Sequence, residues 1–173
     1  ARLDGRAADI LGRPVEVRPV LQRIVDAYGR LPPRGEGAGS GKPPHIDTNG
    51  IDENTVFHGE ERDLQDLFGT VLETALRYCR GRITVDAHME TADGRQLLVI
   101  AVGDDGEGIP DGSEREILRR GARADTASPG QGLGLAIVIE IVSAYGGSLS
   151  TGRSELGGAL FTITLPGPAA KVP

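Results

Sequence analysis

A chain of 173 residues with 38% hydrophobic content and only 3% aromatics has the length for one domain and the makings of a core built from Leu, Ile, Val and Ala. Its net charge of −6 and pI near 5.1, with basic residues scattered, argue against nucleic acid or an anionic membrane as the main partner. The single cysteine, Cys79, excludes an internal disulfide and a CxxC metal pair, and neither a signal peptide nor an apolar run of about 18 residues stands out. The chain is expected to be soluble as given. Because it begins on Ala1 and not on Met, it is also expected to be a fragment of something longer.

In chain order, residues 1–13 show short helical character and no chemistry. Pro14 then opens a segment in which Val20, Leu21, Ile24, Val25 and Tyr28 recur at helical spacing, a first amphipathic helix. The stretch PPRGEGAGSGKPPHIDTNG reads as a mobile loop, with His45–Thr48 a poor edge strand. From Glu60 to Cys79 the pattern sharpens. Leu64, Leu67, Phe68, Val71, Leu72, Ala75, Leu76 and Cys79 keep i, i+3, i+4 spacing, which predicts a core-facing helix with Cys79 as a small buried hydrophobe and Gly81 as its stop. Ile83–Met89 and Leu97–Asp104 read as strands joined through TADGR. Gly112–Pro129 is polar, and 132–145 is an apolar helix stopped by Gly146-Gly147. Strands at 148–151 and 159–165 flank a Gly157-Gly158 turn and precede a tail, so the domain is expected to span 14–166, with 167–173 outside it.

The chemistry concentrates between Val102 and Leu135. Asp104 follows an apolar run with a strand's length, so its carboxylate stands at a strand end, where it could accept a hydrogen bond from an exocyclic amine such as adenine N6. Gly106 and Gly108 remove side chains where the backbone must bend or let a flat base approach. Gly130, Gly132 and Gly134 do the same at the first turn of a helix, whose free N–H groups suit phosphates. With 26 glycines in the chain, either motif alone is more often a plain turn, and a Rossmann fingerprint fails because no helix directly follows the first cluster. The ordered pair, set around a polar segment and behind an amphipathic helix, raises the odds of a nucleotide site. His45, His58 and His88 read as structural, and HxH, HExxH and GxSxG patterns are missing.

DDGEGIP (104–110) and GQGLGLAIV (130–138) resemble the two glycine boxes of the histidine-kinase catalytic domain, the Bergerat-type ATPase fold shared with gyrase, Hsp90 and MutL. With ETALRYC upstream and LGGALFTITLP downstream, the likeness runs over about residues 14–166 and is greatest to PhoQ-type sensor kinases. The resemblance implies a two-layer α/β sandwich, a mixed and mostly antiparallel sheet packed against about three helices. It makes residues 1–13 the end of a dimerisation helix and Gly112–Pro129 a mobile ATP lid. The adenine and phosphates of ATP or ADP would lie among Tyr78, Asp104, Gly106, Gly108, Ile109, Gly130, Gly132, Leu133, Gly134 and Leu135. Tyr78 matches an aromatic flanking the nucleotide, although a core Tyr fits the pattern nearly as well.

The family's N box reads here as TVLETALRY, with Thr70 and Thr74 where the resemblance implies two Asn, the second a magnesium ligand. Thr74 through its hydroxyl, or Glu73 by swinging in, are the remaining candidates for Mg2+; equally, the face has simply lost its ligands. Arg77 replaces a phosphate-contacting lysine, and Arg123 matches a lid arginine that faces the phosphates. Ser128 and Leu118 replace a second lid arginine and the usual Phe. The implied activity is transfer of the ATP γ-phosphoryl group to a histidine on a separate dimerisation and phosphotransfer domain of the same protein, then to a response regulator. The parent would be a bacterial inner-membrane sensor kinase with this domain in the cytoplasm. Two rivals stay open, a degenerate nucleotide-binding or partner-docking module and a serine kinase of the anti-sigma-factor type. A gyrase- or Hsp90-like ATPase is disfavoured, since those carry a catalytic Glu where Thr70 stands.

Overall fold

The computed structural model describes residues 13–31, 41–122 and 133–169. The first element is a strand that periodicity did not announce, β1 (Pro14–Glu16), paired antiparallel with β3 (Val56–His58) in a small separate ribbon. Helix α1 (Val17–Tyr28) follows at once and buries Val17, Val20, Leu21 and Val25. Pro19 falls in its first turn, where a missing N–H costs nothing.

The main sheet has the order β2-β4-β5-β7-β6, with β2 (His45–Ile51), β4 (Arg82–Ala92), β5 (Arg95–Asp104), β6 (Ser148–Arg153) and β7 (Ala159–Ala169). Only β2 runs parallel to its neighbour; all other pairs are antiparallel. Alternation decides which face is covered. Ile83, Val85 and Ala87 of β4, Ile100 and Val102 of β5, and Phe161, Ile163 and Leu165 of β7 enter the core, while Thr84, Asp86, Thr162 and Thr164 stay on the other, more open face. Helix α2 (Glu61–Tyr78) supplies the opposing half of the core with Leu64, Leu67, Phe68, Val71, Leu72 and Ala75. It packs against α1 on one side and α4 (Leu133–Ala144) on the other, and α3 (Glu114–Ala122) packs on α4. The expected sandwich is therefore present, with four described helices where about three were expected.

Several boundaries differ from the expectation for physical reasons. Helix α2 ends at Tyr78, with Cys79 extended at φ −66 and ψ 154, so Gly81 is not its stop and takes no left-handed conformation. The edge strand β2 is longer than His45–Thr48 because a bulge between Asp47 and Gly50 carries its pairing on to Ile51. The β4–β5 hairpin closes on Asp93 and Gly94 alone, at φ 50 and 71, the left-handed pair of a tight two-residue turn. Strand β7 runs to Ala169, so residues expected in the tail pair with β5. Half of the expected lid is helical: α3 sets Ile117 against the core, an apolar anchor that the polar sequence around it concealed. Helix α4, expected to be buried nearly all round, buries Leu135, Val138 and Val142 but leaves Ile137 49% exposed. The residues 1–12 and 32–40, assigned to a dimerisation-helix tail and a loop, lie outside the described residues, as do 123–132 of the lid and second glycine box.

The stop of α4 is as expected. Gly146 at φ 72 donates to the Ser143 carbonyl and Gly147 to that of Val142, the paired bonds of a Schellman cap. Tyr145 in between ties the end of α4 to the start of α2: its hydroxyl donates to Asp63 Oδ2 at 2.5 Å and accepts the Glu60 N–H at 3.1 Å, while its ring meets Phe57 edge-on at 5.2 Å. Burial, and then the bond to Asp63, push the Tyr145 phenol up to about 12. Tyr145→Phe keeps the ring contact and deletes both hydrogen bonds. It is expected to lower unfolding free energy by about 1–2 kcal/mol in urea titrations without changing the slope of the transition.

Candidate functional site

Asp104 ends β5, the central strand of the sheet, and is 2% exposed. Its Oδ1 accepts two backbone N–H groups, from Gly106 at 2.9 Å and from Ala159 at 3.1 Å, and its carbonyl accepts a third from Gly158 at 3.0 Å. The carboxylate occupies the space where a side chain on Gly158 would go, since a Cβ there would stand 2.1 Å from Oδ1. Among the described residues, no hydrogen bond reaches Oδ2. Burial raises the Asp104 pKa, the two amide bonds pull against it, and the neighbouring charge of Asp105 adds to the rise.

Asp105 points elsewhere and does different work. Its Oδ1 accepts the N–H groups of Arg80 at 2.7 Å and Gly81 at 3.1 Å, so it clips the turn after α2 to the end of β5. Burial by itself would raise its pKa, but backbone N–H donors from Arg80, Arg82, Gly81 and its own residue outweigh that and hold it below the usual carboxylate range. Gly106 lies against the last carbonyl of α2, where a Cβ would be 2.3 Å from the Tyr78 oxygen. Gly108, at φ 79, faces the Gly157-Gly158 backbone, from which an added Cβ would stand 3.4–3.6 Å. Ile109 packs partly into the core. Cys79 is buried, and burial followed by the charges of Asp105 and Asp104 pushes its thiol up to about 11, so it stays protonated and packs as a small apolar group.

Helix α2 connects this loop to α4. Near its middle the Thr70 methyl lies so close to Gly134 that a Cβ on that glycine would be 2.7 Å from it; the glycine lets the two helices approach. The Thr74 hydroxyl donates to the Thr70 carbonyl at 3.0 Å, and Arg77 is exposed in the last turn. Tyr78 is 55% exposed, which disposes of the core reading, and its carbonyl lies against Gly106 of the Asp104 loop. Glu73 is exposed about 100° around the helix from Thr74. Its charge falls on Tyr28 of α1, whose pKa is raised first by burial and then by Glu73. Leu133 begins α4, and the Leu135 side chain is buried, so Leu135 can meet a ligand only through its main chain. Arg123, Gly130 and Gly132 fall outside the described residues.

The structure thus brings Gly106, and with it Asp104, against the Tyr78 end of α2 and Gly134 against Thr70 in its middle, whereas Gly108 lies toward Gly157-Gly158. A cleft of about 230 Å³ lies beside Gly108 and Ile109, bounded by Glu114, Arg153 and Gly158. A groove of about 400 Å³ between β1, α1 and the start of α2 contains none of these residues. Sequence reasoning missed Asp105, Gly158 and Ser154. The buried Ser154 closes the β6–β7 turn by accepting the Leu156 N–H, and its own N–H donates to the Gly158 carbonyl. The doublet Asp104-Asp105 was a signal that two carboxylates shared one strand end; nothing local in the sequence marks Gly158 as their neighbour.

A one-sided sandwich whose central strand ends in a buried aspartate between glycine backbones defines an ATP-binding domain of the Bergerat type. The chain belongs to the histidine kinase-, DNA gyrase B-, and HSP90-like ATPase family, whose model matches residues 59–169. It is 46% identical over 104 residues to the two-component sensor PhoQ of Pseudomonas aeruginosa, covering 60% of this chain and 22% of that one. To the sensor protein PhoQ of Escherichia coli K12 it is 35% identical over 163 residues, 94% of this chain and 31% of the relative. The chain therefore spans less than a third of the length of these relatives. Among solved structures, the mycobacterial sensor histidine kinase MprB superposes with TM-score 0.63 at 26% identity, covering 91% of this chain and 99% of that one. The ATP binding domain of PrrB from Mycobacterium tuberculosis, at TM-score 0.65 and 23% identity over 90% of this chain and 97% of its own, shares the fold.

Gly158→Ala is expected to displace Asp104 and cost about 1–3 kcal/mol of stability. Gly152→Ala, where an added Cβ meets nothing within 4 Å, should change stability by less than about 0.5 kcal/mol. Thermal and urea melts of the two variants check the contrast.

Proposed function

We propose that this chain binds ATP and ADP with Asp104 reading the adenine amine, and that it serves as the catalytic domain of a sensor kinase. The observation that carries the reading is the division of labour on Asp104: Oδ1 is spent on Gly106 and Ala159, and Oδ2 remains as an acceptor for a donor such as adenine N6. Gly106 and Gly108 serve close backbone packing, against the Tyr78 carbonyl and the Gly157-Gly158 backbone, and not an opening for the base; the exposed Tyr78 is assigned to flank the base, and the start of α4 offers free N–H groups to phosphates. Arg77 and Arg123 are assigned to phosphate charge, Gly130, Gly132 and the main chain of Leu133, Gly134 and Leu135 to the phosphate-side loop, and Ile109 to the base. Thr70 keeps the helices in register through Gly134.

In the reaction proposed, the bond between the γ-phosphorus and its bridging oxygen breaks, ADP leaves, and a nitrogen of a histidine on a separate dimerisation domain of the same protein takes the phosphoryl group. Relay to a response regulator follows. Similarity to PhoQ sensors supports this reading over the serine-kinase and docking-module alternatives. The full-length structure of ShkA, similar in fold, is described as a complex with AMPPNP, which supports a nucleotide at this place. No helix among the described residues is long and apolar enough to cross a membrane, which fits a cytoplasmic domain of an inner-membrane kinase.

Asp104→Asn separates recognition from structure better than Asp104→Ala, which would strip two buried N–H groups of their acceptor. The Asn carboxamide oxygen still serves Gly106 and Ala159, but its NH2 replaces Oδ2 and meets the adenine amine donor to donor. A folded Asp104→Asn protein is expected to lose about ten- to hundredfold in ADP affinity by calorimetry, the worth of a charge-assisted hydrogen bond. Undiminished affinity would refute the assignment.

Acidification gives a second check. The Asp104 pKa is raised on folding, so its ionised form costs stability at neutral pH, and that cost fades as pH falls through the folded pKa. The proton goes to Oδ2 and turns an acceptor into a donor. ADP affinity should therefore fall on acidification at a pH above the ordinary aspartate range, while a melt of the free chain shows no matching loss from this group. The Asp104→Asn affinity, already low, should lack that step.

A further inference from the structure

Magnesium is the ion that the family resemblance implies beside the nucleotide, and the residues on α2 do not fit it. The ion takes oxygen ligands in near-octahedral geometry at about 2.0–2.1 Å, so a protein ligand must project an oxygen beyond the helix wall toward the phosphates. Thr74 stands where that ligand would be. Its only oxygen sits on Cβ, one bond nearer the helix axis than a carboxamide oxygen, and is turned back onto the Thr70 carbonyl at 3.0 Å. Thr70 offers no better: its methyl is packed toward Gly134. The nearest carboxylate in sequence, Glu73, lies about 100° around the helix, on the side where its charge reaches Tyr28 of α1. Asp104 has one oxygen committed to two amides and is assigned to the base. Among the described residues, no three His, Cys, Asp or Glu side chains converge on a point that could hold a metal.

We infer that the described residues of this chain, helix α2 included, add no ligand of their own to the metal, so that ATP is held with and without magnesium alike, the cause being the hydroxyl at position 74. The inference rests on the adenine-site reading above but makes a separate demand. It predicts how the chain treats the triphosphate, whereas adenine recognition concerns only the base.

The test is calorimetric titration of the 173-residue chain with ADP and with ATP, each in EDTA and in millimolar MgCl2. ADP should bind in both buffers, and ATP affinity should differ by no more than about twofold between them. Thr74→Asn, which adds a projecting carboxamide oxygen at a half-buried surface position and leaves the Thr70–Gly134 contact alone, should acquire a magnesium-dependent gain in ATP affinity of about tenfold. A gain of that size in the unaltered chain would overturn the inference and return Thr74 or Glu73 to the ligand set. A Thr74→Asn protein as indifferent to magnesium as its parent would overturn the assignment to position 74. If ADP fails to bind in either buffer, the adenine-site reading falls first, so the two failures are told apart.

Discussion

A single carboxylate oxygen, Asp104 Oδ1, fastens two pieces of chain, its own loop and the start of β7, that lie more than fifty residues apart in sequence. It meets the N–H of Gly106 in the loop it begins and that of Ala159 at the start of β7, and it fills the gap left open by Gly158. Remove it and two buried donors lose their acceptor, each a loss of about 1–3 kcal/mol. Ionising a buried carboxyl also costs free energy, as the raised pKa records, and the two amide bonds offset only part of that cost.

Helix α2 extends the same logic. One face carries Leu64, Phe68, Val71 and Ala75 into the core, and the adjoining face carries Thr70, which meets Gly134, with Thr74 and the exposed Tyr78 further along. Its last carbonyl touches Gly106 and its middle touches Gly134, so the separation of Gly106 from the start of α4 is fixed by a helix that cannot shift without disturbing the core. Asp105 and Tyr145 secure its two ends, the first through the Arg80 and Gly81 amides and the second through Asp63 and Glu60.

What could be read from the sequence follows from how far each signal reaches along the chain. The eighteen residues of α2 advertise themselves through spacing, the β4 and β5 strands through alternation, and the glycine boxes through an ordered pair of motifs. Asp104 stood out because an acidic residue ended an apolar run. Asp105 looked the same by composition, and only the fold shows that one oxygen faces the α2–β4 turn while the other residue faces β7. Gly158 and Ser154 matter because β7 lies beside β5, a contact across more than fifty residues that no local pattern contains. Likewise α4 is apolar around its circumference, yet α3 and the sheet cover only part of it, and Ile137 remains in the open.

The close facing of Gly108 and the Gly157-Gly158 backbone bears on drug design. At φ 79, Gly108 has a conformation that any side chain would strain, and main-chain atoms form the wall opposite. A compound seated in the cleft beside that wall would take part of its hydrogen bonds and shape from groups that codon changes cannot exchange. Cells under selection by such a compound could not reshape the contact surface by single substitutions at Gly108 while keeping the loop intact. Resistance would have to come from elsewhere, through altered uptake, higher expression or changes at the mouth of the cleft.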